Sequence, residues 1–272
     1  MPSQTTELQI VPIGAALGAE IRGVDLAQPL SPGMVMRLRQ VLYQHLVLLF
    51  PEQSLSEEEQ VRFANYFGKP SRPVHKQEHA TKELFIISNL EENGKPLGEF
   101  GNYELQFHAD CAYLHLPSQV GTLYAVEATK TGGETQFCNS YAAYETLDPL
   151  LKARIKGLRA VNLHRQDSHN PPEPAAHPLA CTHPETGRKF LFVNPVHTKY
   201  VVGLPEGESR QLLDAIFAHM LQPRFLWKHK WSDRDLLLWD NLSTMHRREP
   251  FPNTERRILR RTQIYVERPL TE

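Results

Sequence analysis

The sequence predicts a mainly β protein with α additions, a double-sheet jelly roll flanked by helices, with residues 1–272 forming a single domain. Three observations point there. Short extended segments recur through the middle and end of the chain, and helical stripes are few. The 21 prolines are spread along the whole length and mark many turns. The 272 residues are also enough for one large β-rich domain.

In chain order, residues 21–26 end an extended stretch. Ser31-Pro32 then opens a helix that runs to about His45, with a side-chain cap followed by proline at the first helical position. Val47–Phe50 is wholly apolar and reads as a buried strand. A second helix starts near Ser56, where Glu59 completes a capping box, and stops at Phe67-Gly68. Residues 84–88, 120–128 and 134–138 read as strands. In a further strand Arg188, Phe190 and Phe192 share one face and Lys189, Leu191 and Val193 the other. It is entered through the turn Pro184-Glu185-Thr186-Gly187. One amphipathic helix carries the stripe Leu212, Leu213, Ile216, Phe217 and Met220, and is expected to be lid-like. Residues 236–239 and 257–266 close the chain as strands. A barrel of this kind has a mouth, where small ligands bind.

Composition narrows the function classes. Hydrophobic residues make up 40% and charged residues 22%, and the formal net charge is −1. No global field recruits nucleic acid or an anionic membrane, so anion binding must come from a local cluster of Lys or Arg. Residues 1–7 lack a basic stretch followed by an apolar one, and no apolar run approaches the length of a membrane span; neither a secretion signal nor a span is predicted. Cys111, Cys138 and Cys181 are far apart and without C-x-x-C spacing, which predicts free thiols in a reducing cytoplasm. The expected partners are a small anionic organic substrate and further copies of the chain, as a dimer or tetramer.

Phe107-His108-Ala109-Asp110 places an imidazole and a carboxylate two residues apart, and on an extended chain both face the same way. With a second imidazole they would form a facial triad, which leaves three positions open on Fe(II) for a co-substrate and oxygen. Alone, His-x-Asp also fits a surface turn or a satisfied polar pair. A rival pair, His183-Pro184-Glu185, falls in a turn that reads as an exposed loop. The distal ligand is assigned to His246, out of 13 histidines, because an arginine-rich strand follows it. There Arg257, Leu259 and Arg261 share one face, and two arginines facing into a barrel need anions to meet them. Turned outward, the same face would be solvated. Two inward guanidinium forks would imply two anions, a co-substrate and a substrate. Gly132-Gly133-Glu134-Thr135 supplies a tight turn and a threonine that reads either as a carboxylate donor or as an ordinary hairpin residue.

Taken together these blocks resemble the taurine dioxygenase family, which includes 2,4-dichlorophenoxyacetate dioxygenase, over nearly the whole chain. The resemblance takes in residues 18–26, Ile87-Ser88-Asn89, Phe107-His108-Ala109-Asp110, Gly132-Gly133-Glu134-Thr135, residues 187–192, Trp239-Asp240-Asn241, His246 and residues 256–261. It implies a double-stranded β-helix (cupin-like) fold, with Fe(II), 2-oxoglutarate and O2 as cofactor and co-substrates. His108, Asp110 and His246 become the metal ligands and catalytic centre. Thr135 and Arg257 hold the distal carboxylate of 2-oxoglutarate, and Arg261 meets the acid group of the primary substrate. Glu104, His75 and Asn89 fall at or near substrate-contacting positions. The implied chemistry is oxidative decarboxylation of 2-oxoglutarate to succinate and CO2, coupled to hydroxylation of a C–H bond and in some cases to bond cleavage.

The chain departs from the taurine pattern at Phe107, where tryptophan is usual, and at Glu104, where asparagine is. An acidic Glu104 would repel a sulfonate unless a cation pairs with it. The histidine of residues 71–76 is also shifted along. Residues 187–208 look more like the phenoxyacetate branch, which favours a carboxylate such as an aryloxyalkanoate. The alternatives are a sulfonate or alkyl-sulfate dioxygenase, and a biosynthetic hydroxylase in which Glu104 recognises an ammonium group. Outside this chemistry, a zinc hydrolase would leave the arginines without a role, and a non-catalytic binding protein would not need an intact triad.

Overall fold

The computed structural model describes residues 8–14, 16–71 and 81–272. Among these residues an eight-stranded sheet and a four-stranded sheet form the framework of the jelly roll. The larger sheet runs in the order Gln9–Pro12, Ala19–Arg22, Val47–Phe50, Leu236–Asp240, Ser118–Glu127, Ile258–Tyr265, Phe85–Ser88 and Glu99–Phe100. The smaller one runs Leu226–His229, Thr135–Asn139, Thr244–Arg248 and Leu105–His108.

Period-two alternation sorts the strand residues between three apolar layers. Leu237, Leu123, Leu259, Phe137 and Trp239 form one buried cluster. Leu236, Leu238, Val120 and Ile264 point the other way and are covered by two helices. The helix Pro32–His45 contributes Leu38, Val41 and Leu42 to that second layer, and Glu57–Asn65 contributes Phe63 and Ala64. Both helices begin as the sequence predicts. Ser31 accepts from the Met34 amide ahead of proline, and Ser56 and Glu59 exchange reciprocal capping bonds. Because both of its faces are covered, the strand Leu236–Asp240 is buried at every position.

The third layer lies beyond the smaller sheet and corrects one expectation. The amphipathic helix Glu206–Met220 is not a lid: Leu212, Leu213, Ile216 and Met220 are buried with Cys138, Met245 and Phe225, and none of its residues lines the cavity. Two short helices, Ser140–Glu145 and Pro149–Ile155, accompany it. The first is capped by Asn139 and the second by Asp148. The expected strand around Phe190 is only Lys189–Leu191, and both of its faces are buried.

Candidate active site

The two histidines of the predicted triad meet because their strands pair. His246 lies in Thr244–Arg248 and His108 at the end of Leu105–His108, and the two are register partners. Their ring centroids are 4.4 Å apart. Asp110, two residues on, completes a group whose candidate ligand atoms all lie within 4.8 Å of one another. His108 Nε2 is 3.6 Å from Asp110 Oδ1, and His246 Nε2 is 3.8 Å from Oδ2. The Gln106 carbonyl lies 2.7 Å from His108 Nδ1; a proton donated there fixes the tautomer that leaves Nε2 free as a ligand.

The donor set fits a ferrous ion, with two imidazoles and one carboxylate on a single face. Asp110 Oδ2 is buried and has no hydrogen-bond partner among the described residues, an orphan that a metal bond would satisfy. Burial alone would raise the Asp110 carboxyl, but Arg261, then His246 and His108, outweigh it and hold it well below the usual carboxylate range. Burial, then His108, pushes His246 down to about 3, so the ring is neutral and able to bind metal.

Neighbouring side chains brace the ligands. Asn241 Oδ1 accepts from the Asp110 amide at 3.0 Å, and its Nδ2 donates to the Asp110 carbonyl at 3.2 Å and to the Ser118 carbonyl at 2.7 Å. One fully buried amide therefore fixes both backbone groups of the carboxylate ligand. His246 packs between Phe137 and Trp239, with ring centroids at 5.8 and 5.4 Å. The Trp239 ring lies over Gly121, where any Cβ would overlap it. Asp240 accepts from the Ser243 hydroxyl and lies 3.2 Å from His183 Nε2. The rival pair His183-x-Glu185 is thereby excluded on geometry, and His183 is buried rather than exposed because this carboxylate holds it inside.

A cavity of about 500 Å³ opens beside the triad. Arg257 and Arg261 both line it, as their shared strand face predicts. Arg257 is 2% exposed, and among the described residues its guanidinium has neither a hydrogen bond nor an ion pair. Burial, then the charge of Arg248, lowers its pKa well below the ordinary guanidinium value. Thr135 also lines the cavity; its oxygen accepts from Trp231 Nε1 at 3.0 Å, which leaves its own proton for another acceptor. Gly133, at φ 72°, carries the chain past the Arg257 side chain. Arg261 Nη2 lies 3.0 Å from Asp110 Oδ1 and so touches the triad itself, a contact the sequence did not announce. On the opposite strand face Arg260 is buried rather than solvated: it donates to the Leu55 carbonyl and lies 4.7 Å from the Tyr124 ring centroid.

The remaining predicted residues divide. Glu104 reaches the cavity mouth, but its carboxylate is paired with Arg247 Nη1 at 3.2 Å. Asn89 does not line the cavity; it accepts from the Arg257 amide at 3.1 Å and donates to the Glu255 carbonyl at 2.8 Å, so it braces the arginine strand. His75 lies outside the described residues. Sequence reasoning missed Arg248, Tyr113 and His197, which line the same cavity. Only Arg248 carried a signal, an inward position two residues after His246. The segments 91–102 and 164–177 supply Glu99, Phe100, His164 and Arg165 to the cavity wall.

Comparison with known proteins agrees with this geometry. The taurine catabolism dioxygenase TauD, TfdA family matches residues 9–263. The alpha-ketoglutarate-dependent 2,4-dichlorophenoxyacetate dioxygenase of Cupriavidus pinatubonensis is 31% identical, over 92% of this chain and 95% of the relative. Pentalenolactone F synthase of Streptomyces arenae is 30% identical, over 96% of this chain and 97% of the relative. Among solved structures, AAD-2 in complex with Mn(II) and N-oxalylglycine superposes with a TM-score of 0.85 at 28% identity, covering 98% of this chain and 99% of that one. The chain belongs to the taurine catabolism dioxygenase TauD, TfdA family and is an Fe(II)- and 2-oxoglutarate-dependent dioxygenase.

Proposed function

We propose that the enzyme hydroxylates a small organic acid, an aryloxyalkanoate or similar carboxylate, with release of succinate and CO2. His108, Asp110 and His246 would hold Fe(II), Thr135 and Arg257 the distal carboxylate of 2-oxoglutarate, and Arg261 the acid group of the substrate. The observation that carries the reading is Arg257, a buried guanidinium on the cavity wall with no counter-ion among the described residues. Such a charge is costly unless an anion meets it. Bound iron would supply oxygen activation coupled to decarboxylation of the keto acid. The chain's own share is positional. Arg257 and Thr135 fix one end of the keto acid, Arg261 fixes the substrate beside the triad, and Phe85, Phe100 and Tyr113 exclude water around the C–H bond to be attacked.

The pairing of Glu104 with Arg247 speaks against the ammonium-binding alternative, since that carboxylate is already neutralised. It equally removes the repulsion that disfavoured a sulfonate or alkyl sulfate, so both anion classes remain in the test. Three buried free cysteines fit the reducing cytoplasm included in this proposal. The proposal also includes assembly into a dimer or tetramer. No helix among the described residues is long and apolar enough to cross a membrane. The test is succinate formation with Fe(II) across aryloxyacetates, other carboxylates, sulfonates, alkyl sulfates and amino acids. Arg261→Ala should raise the substrate KM at least tenfold more than that of 2-oxoglutarate; equal effects on both would refute its role.

A further inference from the structure

A second buried arginine stands beside Arg257 without an assigned role. Arg248 is 4% exposed and lines the same cavity, two residues beyond His246. Its register partner is Thr135 on the adjacent strand. The Arg248 and Arg257 guanidinium carbons lie 5.3 and 5.7 Å from the ring centroid of one residue, Phe251, so a single ring packs against both cations. Arg248 Nη1 donates to the Gly101 carbonyl at 3.1 Å, and Nη2 donates to the Tyr103 carbonyl. These carbonyls satisfy hydrogen bonds but supply no countercharge. Among the described residues no carboxylate forms an ion pair with either arginine; the nearby Glu249 is paired with Arg247 and Lys228.

Two like charges placed together out of water repel each other and call for an anion. Hydrogen bonding alone does not require a guanidinium at position 248, since a neutral amide can also donate to a carbonyl. Resting on the assignment of Arg257 to the distal carboxylate, we infer that Arg248 is a second cation of the co-substrate site, acting through space so that the pocket selects 2-oxo acids with a distal carboxylate over those without one. At about 10 Å and an effective dielectric of about 20, one such charge amounts to roughly tenfold in affinity for an anion.

The inference is tested on the full chain loaded with redox-silent Mn(II), by calorimetric titration with 2-oxoglutarate and with 2-oxopentanoate, which carries a methyl group in place of the distal carboxylate. Arg248→Gln keeps a donor for the carbonyls and removes the charge. It should weaken 2-oxoglutarate roughly tenfold more than 2-oxopentanoate, which lacks the distal carboxylate. Arg248→Lys keeps the charge and should hold the wild-type preference to within about threefold. Equal weakening of both acids by Arg248→Gln, or no weakening of either, would make Arg248 a strap for residues 101–103 and overturn the inference alone. Wild-type protein that binds the two acids equally would instead overturn the assignment of Arg257, and this inference with it. Arg248→Met provides the uncharged comparison if the glutamine variant does not fold.

Discussion

Arg257→Met separates binding from stability, because the structure predicts effects of opposite sign. The methionine fills much of the same volume with apolar atoms, while Arg257, which it replaces, is 2% exposed and lacks an ion pair among the described residues. Removing an uncompensated buried charge should leave the ligand-free protein as stable as before or more stable, by about 1–4 kcal/mol. A bidentate contact to carboxylate comprises two charge-assisted hydrogen bonds of about 1.5–3 kcal/mol each. Their loss should weaken 2-oxoglutarate by at least about a hundredfold, at about 1.4 kcal/mol per tenfold. Thermal melts of Mn(II)-loaded protein with and without 2-oxoglutarate read both effects. A ligand at about a hundred times its Kd stabilises by about 2.7 kcal/mol, so wild-type protein should melt higher by roughly 5–10 °C when it is added. In Arg257→Met that increment should vanish while the ligand-free melt holds or rises. A variant that melts lower without ligand yet still responds to 2-oxoglutarate would show that Arg257 is structural.

Three further predictions follow from individual contacts. Asn241→Ala removes the amide that fixes both backbone groups of Asp110, and should weaken Mn(II) binding by about 10–100-fold with altered Co(II) absorption; an unchanged metal affinity would rule out the bracing role. Glu104→Gln breaks a partly exposed pair with Arg247, so stability should change by less than about 1 kcal/mol and turnover of acid substrates should survive. A rise in KM confined to ammonium-bearing substrates would revive the amino-acid alternative. Burial pushes His177 down to about 4, against the pull of the Leu114 and Ala112 carbonyls. The unfolded chain takes up this proton near pH 6.5 and the folded one only near pH 4, so stability should fall as pH drops between those values, by about 2 kcal/mol at pH 5. His177→Gln should flatten that part of the profile; an unaltered slope in urea titrations would assign it elsewhere.

Local chemistry made much of the fold legible. The Ser31-Pro32 and Ser56/Glu59 caps mark helix starts through bonds made within one turn, and both appear where expected. The helix Glu206–Met220 is amphipathic as its sequence predicts, but an apolar stripe does not say which surface will cover it, and it joins the core instead of closing the site. His183 failed in the reverse direction: a turn sequence suggested exposure, and the distant carboxylate of Asp240 drew the ring inside. Glu104 stands out in the sequence as an acid at an anion site, and only the fold brings Arg247 to it as a partner.

Legible in the chain alone are the ligand types, the same-face spacing of His108 with Asp110, and the alternation that puts Arg257 and Arg261 on one side of their strand. Each depends on backbone periodicity over a few residues. Tertiary structure decided the remainder. Pairing of two remote strands sets His246 opposite His108, Asn241 reaches Asp110 across 131 positions of chain, and Arg248 comes to share the Phe251 ring with Arg257. Strand register is settled by the packing of whole sheets, and two charges on separate segments acquire a joint field only when burial removes the water that would screen them.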